Sequence, residues 1–146
     1  MSLPLQVPPN CDLTLGLRLT EKGEPGHTTW EMEADERFCN PAGIVQGGFI
    51  GALCDSAMGA SAVTYATRGG SIKVFSANAE MKTSFYRPVR PGSRLTCSAR
   101  VVSGGERVLF VEADVSDGEG NLVARASSTY IVTPRGGTGP QPDADC

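Results

Sequence analysis

A glycine pair followed by one carboxylate is the part of this 146-residue sequence with the clearest chemical potential. Gly47 and Gly48 end the irregular segment 40–48, and a run rich in Ala, Leu and Met begins directly after them. Glycines at the start of a helix leave backbone N–H groups uncovered at the positive end of the helix dipole. Such groups form a site for an anion, or for the oxyanion of a reacting carbonyl. The same glycines also fit an ordinary tight turn into a helix.

Asp55 is the only Asp, Glu, Lys, Arg or His between Arg37 and Arg68. It is either a catalytic carboxylate or a helix acid that hydrogen-bonds to a neighbouring strand. The chain has one histidine, His27, beside a turn-like segment, and it contains no G-x-S-x-G motif. A hydrolase built on this sequence therefore takes a carboxylate as its base, and Asp55 is the leading candidate.

Composition places the chain among ordinary single-domain proteins. A formal charge of −3 gives no support to a nucleic-acid partner. The five cysteines are scattered without a C-x-x-C pair, which predicts reduced thiols, no metal site and a cytoplasmic location. Cys54 reads as a nucleophile or, with no histidine nearby, as a buried structural thiol. No apolar run reaches transmembrane length, so we expect no membrane partner.

The elements that must position these groups follow from periodicity and glycine-rich turns. We expect a loose leader over 1–10, one domain over 11–134 and a disordered tail over 135–146. Alternating apolar residues predict two strands before the helix, over 13–20 and 27–33, and about four after it. Short turns between the later strands favour an antiparallel meander. One helix cannot cover two sheets, so the sequence predicts an α+β fold with a curved antiparallel sheet of about six strands around one long central helix.

This pattern resembles the hotdog-fold thioesterases. The residues that carry the resemblance are N-P-x-G-x-x-x-G-G at 40–48, an acid eight residues past Gly47, and F-Y-R-P-V-R-P-G at 85–92. The most similar type is the phenylacetate-pathway (PaaI-like) acyl-CoA thioesterases, over roughly residues 13–133. The resemblance implies hydrolysis of a small or aryl acyl-CoA, with CoA as part of the substrate and no separate cofactor.

The resemblance also implies site residues. Asn40, Gly47 and Asp55 fall on the family's active-site positions. Gln46 stands where the family often has histidine, so it can orient a carbonyl or a water but cannot titrate. Asn78 aligns with a Ser or Thr that helps to hold the attacking water. A non-catalytic acyl-CoA-binding module, such as a ligand sensor, is the alternative function.

Spacing adds a constraint on assembly. Gly47 and Asp55 are eight residues apart, which is about 12 Å along one helix. If both are catalytic, they cannot serve one carbonyl from one chain, and a second copy must bring its Asp55 to this Gly47. The enzyme hypothesis thus predicts an obligate homodimer, with further pairing into a dimer of dimers as its expected form. Whether Asp55 acts as a base or attacks directly stays open.

A basic stretch follows the helix. Its cations are opposed within the stretch only by Glu80, and they form either a phosphate-binding rim or solvated strand edges. Arg87 and Arg90 are the candidates for the CoA phosphates, and Gly48 offers a second backbone N–H to the substrate. The cations of the stretch are Lys73, Lys82, Arg87, Arg90, Arg94 and Arg100.

Overall fold

The computed structural model describes residues 7–70 and 74–134. The first six residues of the predicted leader and the whole predicted tail lie outside them. Within the described residues the chain order is α1 (Asn10–Leu15), β1 (Arg18–Lys22), β2 (His27–Glu33), a 3₁₀ turn (Glu36–Phe38), α2 (Gly47–Thr67), β3 (Val74–Phe85), β4 (Arg94–Gly104), β5 (Val108–Ser116) and β6 (Leu122–Pro134).

The strands form one antiparallel sheet in the order β1-β2-β4-β5-β6-β3. Helix α2 packs against β2, β3, β4, β5 and β6, so the sheet curls around it. This arrangement confirms the predicted curved sheet around one long helix. It leaves β1 and β3 as the two edges, with one flank of α2 open between them.

Small side chains on α2 let the sheet come close and also bond to it. Thr28 of β2 donates its hydroxyl to the carbonyl oxygen of Ala57 at 3.0 Å and lies 2.9 Å from the Ser61 hydroxyl. Ser61 in turn donates to the carbonyl oxygen of Ala99 on β4 at 3.1 Å. Buried hydroxyls paired in this way cost little, and they fix the axial position of the helix on the sheet. The position of Asp55 relative to the strands is fixed as a result.

The predicted strand over 13–20 is wrong in its first half. Residues Asn10–Leu15 form α1, and β1 begins only at Arg18. The alternating leucines are not a buried row, since Leu13 is 57% exposed. The buried side chain of α1 is Asp12, which accepts a hydrogen bond from Ser56 of α2 at 2.8 Å. Gly16, with φ of 69°, then ends the helix in a left-handed conformation that favours glycine.

The predicted meander holds for β4, β5 and β6 but fails for β3. Strand β3 pairs with β6, whereas β4 pairs with β2. The connector over residues 86–93 contains two prolines and cannot form a tight hairpin. Its Val89 is buried, and the Val89 carbonyl oxygen accepts the Val45 N–H at 2.9 Å. The connector is thereby held at the start of α2, and it carries the chain to the opposite side of the sheet.

Candidate active site

The Asp55 carboxylate is held by two side chains from the sheet. Asn78 of β3 donates its Nδ2 group to Asp55 Oδ1 at 2.9 Å. The hydroxyl of Tyr130 on β6 donates to the same oxygen at 2.5 Å. Asp55 itself is exposed, although it lies in the middle of α2. The structure therefore joins the predicted pair Asp55 and Asn78, and it adds Tyr130.

Tyr130 is the residue that the sequence analysis missed. It is only 2% exposed, and burial together with its bond to Asp55 raises the pKa of its phenol well above the ordinary value. Its hydroxyl also lies 2.9 Å from the Asp55 carbonyl oxygen. Strand alternation places Tyr130 on the inner face, where a buried tyrosine needs a polar partner. The sequence pattern thus indicates that the Tyr130 hydroxyl has a hydrogen-bond partner, but it does not identify Asp55 as that partner.

The glycine pair forms the first turn of α2, as predicted. Gln46 is the N-cap residue, and its side chain makes no capping bond. Across the described residues, no side chain satisfies the Gly47 and Gly48 N–H groups, which stay available to an anion or oxyanion. A Cβ at Gly47 would lie 2.8 Å from Cζ of Phe85, so any larger residue there requires the Phe85 ring to shift. A Cβ at Gly48 would meet nothing within 4 Å.

The loop before the helix is held by Asn40. Its Oδ1 accepts the N–H groups of Ala42 at 3.0 Å and Ile44 at 3.3 Å, so this oxygen shapes the loop. The Asn40 amide nitrogen is the group that remains to contact a ligand. Gln46 is exposed, and its N–H donates to the Phe38 carbonyl oxygen at 2.9 Å. This bond fixes the point where α2 begins.

A groove of about 310 Å³ runs along α2 beside β3. The uncovered N–H of Gly47 lies at one end and the Asp55 carboxylate at the other, about 12 Å apart along the helix axis. Its wall on β3 includes Met81 and Phe85, both partly exposed to solvent. One chain therefore presents both candidate groups in one groove, but too far apart to act on one carbonyl.

A second cavity, of about 570 Å³, lies on the other side of Asp55. Trp30 and Val63 give it apolar walls, and Asn78 and Tyr130 line it next to the carboxylate. Asp55 therefore stands between two cavities. Oδ1 of this carboxylate bonds to Asn78 and Tyr130, which both line the second cavity.

Arg87 and Arg90 are both exposed and lie in the connector held at the start of α2. The charge of Arg87 contributes to a lowered pKa of Asp117, after the larger effect of the bonds from Asn121. Arg100 is engaged elsewhere, because it pairs with Glu112 of β5 at 3.1 Å. Lys73 lies outside the described residues. Of the basic stretch, Arg87 and Arg90 are thus the two cations that lie in this connector.

Two other candidates lie away from the groove. His27 bonds through Nε2 to the Ser98 hydroxyl at 2.9 Å. Cys54 is fully buried, with 0% exposure, so its thiol cannot meet a substrate. Over residues 7–70 and 74–134 there is no group of three His, Cys, Asp or Glu suited to a metal ion. In the same part of the chain, no helix is long and apolar enough to cross a membrane.

Comparison with known proteins identifies the family and similar folds. Residues 42–124 match the thioesterase superfamily. A protein of Saccharolobus solfataricus, provisionally named an esterase, is 31% identical over 112 residues, which cover 77% of this chain and 71% of that protein. The fold matches the Escherichia coli PaaI protein of the phenylacetic acid degradation operon with a TM-score of 0.77 at 20% identity, covering 88% of this chain and 86% of that one. A Streptococcus mutans protein bound to acetyl-CoA matches with a TM-score of 0.72 at 22% identity, covering 82% and 90%.

Proposed function

This chain belongs to the thioesterase superfamily and is a thioester hydrolase of the hotdog fold, and we propose that it hydrolyses a small or aryl acyl-CoA to the free acid and CoA. The observation that carries this proposal is the groove that has bare helix N-terminal amides at one end and a braced carboxylate at the other. The acetyl-CoA bound by the S. mutans protein supports CoA as the carrier.

The chemistry needs only these groups. Asp55 takes a proton from water while the water oxygen bonds to the thioester carbon. The carbonyl electrons move onto its oxygen, where the Gly47 N–H stabilises the negative charge. Collapse of the intermediate restores the C=O bond and breaks the C–S bond, and the thiolate of CoA takes up the proton held by Asp55. Direct attack by Asp55 would form an anhydride that water then opens, with the same products.

A second copy of the chain brings its Asp55 carboxylate close to the Gly47 N–H of the first copy. Strand β3 is an edge strand of 12 residues, and every residue from Ala77 to Lys82 is exposed. A long unpaired edge is a ready template for another strand. Antiparallel pairing of two β3 edges about a two-fold axis would lay the two copies of α2 side by side in opposite directions. Each Gly47 would then lie opposite the partner's Asp55, which gives two equivalent sites.

The exposed guanidinium groups of Arg87 and Arg90 fit the nucleotide end of CoA. Both lie in the connector that Val89 fastens to the loop before α2. A phosphate bound there would leave the pantetheine arm free to run towards the Gly47 end of the groove. Guanidinium groups suit phosphate oxygens because they can donate two parallel hydrogen bonds.

A thiol-release assay tests the proposal. Purified protein is mixed with a panel of aryl, short-chain and long-chain acyl-CoAs, and the released CoA is followed with a thiol-reactive chromophore. A reaction without substrate corrects for the exposed Cys11. We expect turnover with aryl or short acyl groups, and turnover lower by about 10²–10⁴-fold with Asp55→Asn. Tight binding of acyl-CoA without turnover would instead identify a binding module.

A further inference from the structure

The buried Tyr130 places its hydroxyl 2.5 Å from Oδ1 of the exposed Asp55 carboxylate. Packing of the core alone does not require this hydrogen bond. The Tyr130 ring is buried on the inner face of β6, and its hydroxyl reaches the Asp55 carboxylate on the helix. Gly59, one turn after Asp55, lies against the same ring, since a Cβ there would be in ordinary van der Waals contact with Cε1 of Tyr130 at 3.5 Å. The phenol and the helix carboxylate thus meet at the boundary between the core and the groove.

Counting protons shows which atom donates. A phenol has one proton, and the raised pKa of Tyr130 keeps it in place across the neutral range. The 2.5 Å contact to Asp55 Oδ1 is shorter than the 2.9 Å contact to the Asp55 carbonyl oxygen, so the carboxylate receives the proton. Asn78 Nδ2 donates to the same Oδ1 and also lies 3.3 Å from the Ser128 hydroxyl. Within the described part of the chain, both donors to this carboxylate use Oδ1, and none uses Oδ2.

We propose that Tyr130 is a positioning residue that fixes the carboxylate of Asp55, with Oδ1 turned to the sheet and Oδ2 presented to the groove. The terminal torsion of an aspartate is broad, so an unbraced carboxylate at an exposed helix position samples many orientations. Two donors from two different strands remove that freedom. The proposal rests on the catalytic role of Asp55, and Tyr130 itself touches neither substrate nor water in the reaction.

The two cavities support this assignment. Asn78 and Tyr130 line the cavity of about 570 Å³, whereas Gly47 and Phe85 line the groove of about 310 Å³. Because Oδ1 bonds to two residues that line the cavity of about 570 Å³, the proposal assigns Oδ2 to the groove of about 310 Å³. The orientation of the Asp55 carboxylate affects the chemical step and not the binding of substrate. Loss of the Tyr130 hydroxyl should therefore reduce kcat far more than it changes KM.

The test is Tyr130→Phe with Tyr65→Phe as its matched control. Each change removes one hydroxyl and keeps the ring, and the Tyr65 hydroxyl bonds to the Gly104 carbonyl oxygen at 3.3 Å, towards the far end of α2. We expect Tyr130→Phe to lower kcat by about 10–100-fold with KM within about twofold. Tyr65→Phe should leave both unchanged. Tyr130→Phe loses more hydrogen bonds and should melt at a lower temperature than Tyr65→Phe, but it should stay folded at the assay temperature. Equal kcat values for the two variants would overturn the proposal, as would a loss of kcat that unfolding at the assay temperature accounts for.

A double-substitution cycle separates this proposal from the proposed function. If Asp55 is catalytic and Tyr130 acts through it, Tyr130→Phe should cause no further loss when Asp55 is already Asn. An equal loss in both backgrounds would show that Tyr130 acts independently of Asp55 and would contradict its positioning role. Full turnover of Asp55→Asn alone would exclude a catalytic role for the Asp55 carboxylate. The positioning proposal would then be wrong as well.

Discussion

Replacing Asp55 by alanine should abolish most of the activity and spare the fold. A positioned acid–base group contributes about 10²–10⁴-fold to kcat, so we expect a loss in that range. The stability change follows from the contacts of the side chain. Two charge-assisted bonds at an exposed carboxylate are worth about 1–3 kcal/mol together, and alanine returns about 0.7 kcal/mol of helix propensity. In the alanine variant the Tyr130 hydroxyl can still donate to the carbonyl oxygen of residue 55, 2.9 Å away. The Asn78 amide can still donate to the Ser128 hydroxyl, so neither donor is left without a partner.

The net cost is therefore about 0.3–2.3 kcal/mol, which for a domain of this size lowers the melting temperature by roughly 1–9 °C. Circular dichroism melts and the thiol-release assay measure the two effects separately. Asp55→Asn is the matched control, since it keeps an oxygen that can accept from Tyr130 but cannot act as a base. Its stability should be closer to wild type and its turnover as low as that of the alanine variant. A folded Asp55→Asn enzyme with near-normal kcat would refute the reasoning.

Three further predictions concern pH and the CoA end of the substrate. His27→Gln should leave the pH profile of kcat unchanged, and no limb should appear near about 6.5, because the His27 ring bonds to Ser98 away from the groove. Burial raises the pKa of Tyr130 above its unfolded value, so its contribution to stability is complete below pH about 10 and is lost as the pH rises further. The free energy of unfolding, measured with urea, should accordingly fall more steeply above pH about 10 for wild type than for Tyr130→Phe. Replacing Arg87 and Arg90 by Gln should raise KM for acyl-CoA and leave KM for the short pantetheine thioester unchanged; equal losses on both substrates would point to structural damage instead.

Local patterns in the sequence were enough to predict most elements of the fold. Alternation and glycine-rich turns predicted β2 at its observed bounds and the number of strands after α2. Helix α1 was mistaken for a strand because Leu13 and Leu15 alternate. Its true signals were also local: Pro9 at the N-cap, Asp12 in the first turn and Gly16 at the end.

The sheet order could not be predicted from such patterns. It depends on the connector after β3, whose route is fixed by the burial of Val89 against the loop before α2. No periodicity encodes that tertiary contact. The partner of Tyr130 was out of reach for the same reason, since the bond to Asp55 spans 75 residues of sequence. It becomes visible only once β6 lies beside β3, with Asn78 opposite Tyr130.

The glycine pair and the lone carboxylate were easier to recognise because their residue types are exceptional where they stand. Uncovered glycines at a helix start and one charge inside an uncharged helix are visible in sequence without any tertiary information. Their joint use is a different matter. Because both belong to α2, their separation follows from helix geometry, and the proposal of a second chain rests on that separation.

A mixed-dimer experiment tests this shared site most directly. One chain carries Asp55→Ala and keeps its Gly47 N–H, and the other carries Gly47→Pro and keeps Asp55. Proline is tolerated at the first position of a helix, and Gln46 before it is already extended with φ −62° and ψ 135°. The ring of Phe85 must move aside, which its 51% exposure allows. Circular dichroism and size-exclusion chromatography of each variant confirm that it folds and pairs.

Each variant alone should be nearly inactive. When the two are refolded together, random pairing makes half of the dimers mixed, and each mixed dimer regains one of its two sites. The account predicts recovery of about a quarter of wild-type activity, and no recovery when Asp55→Ala is mixed with a chain that carries both substitutions. Confirmed mixed dimers with no more activity than their parents would contradict it.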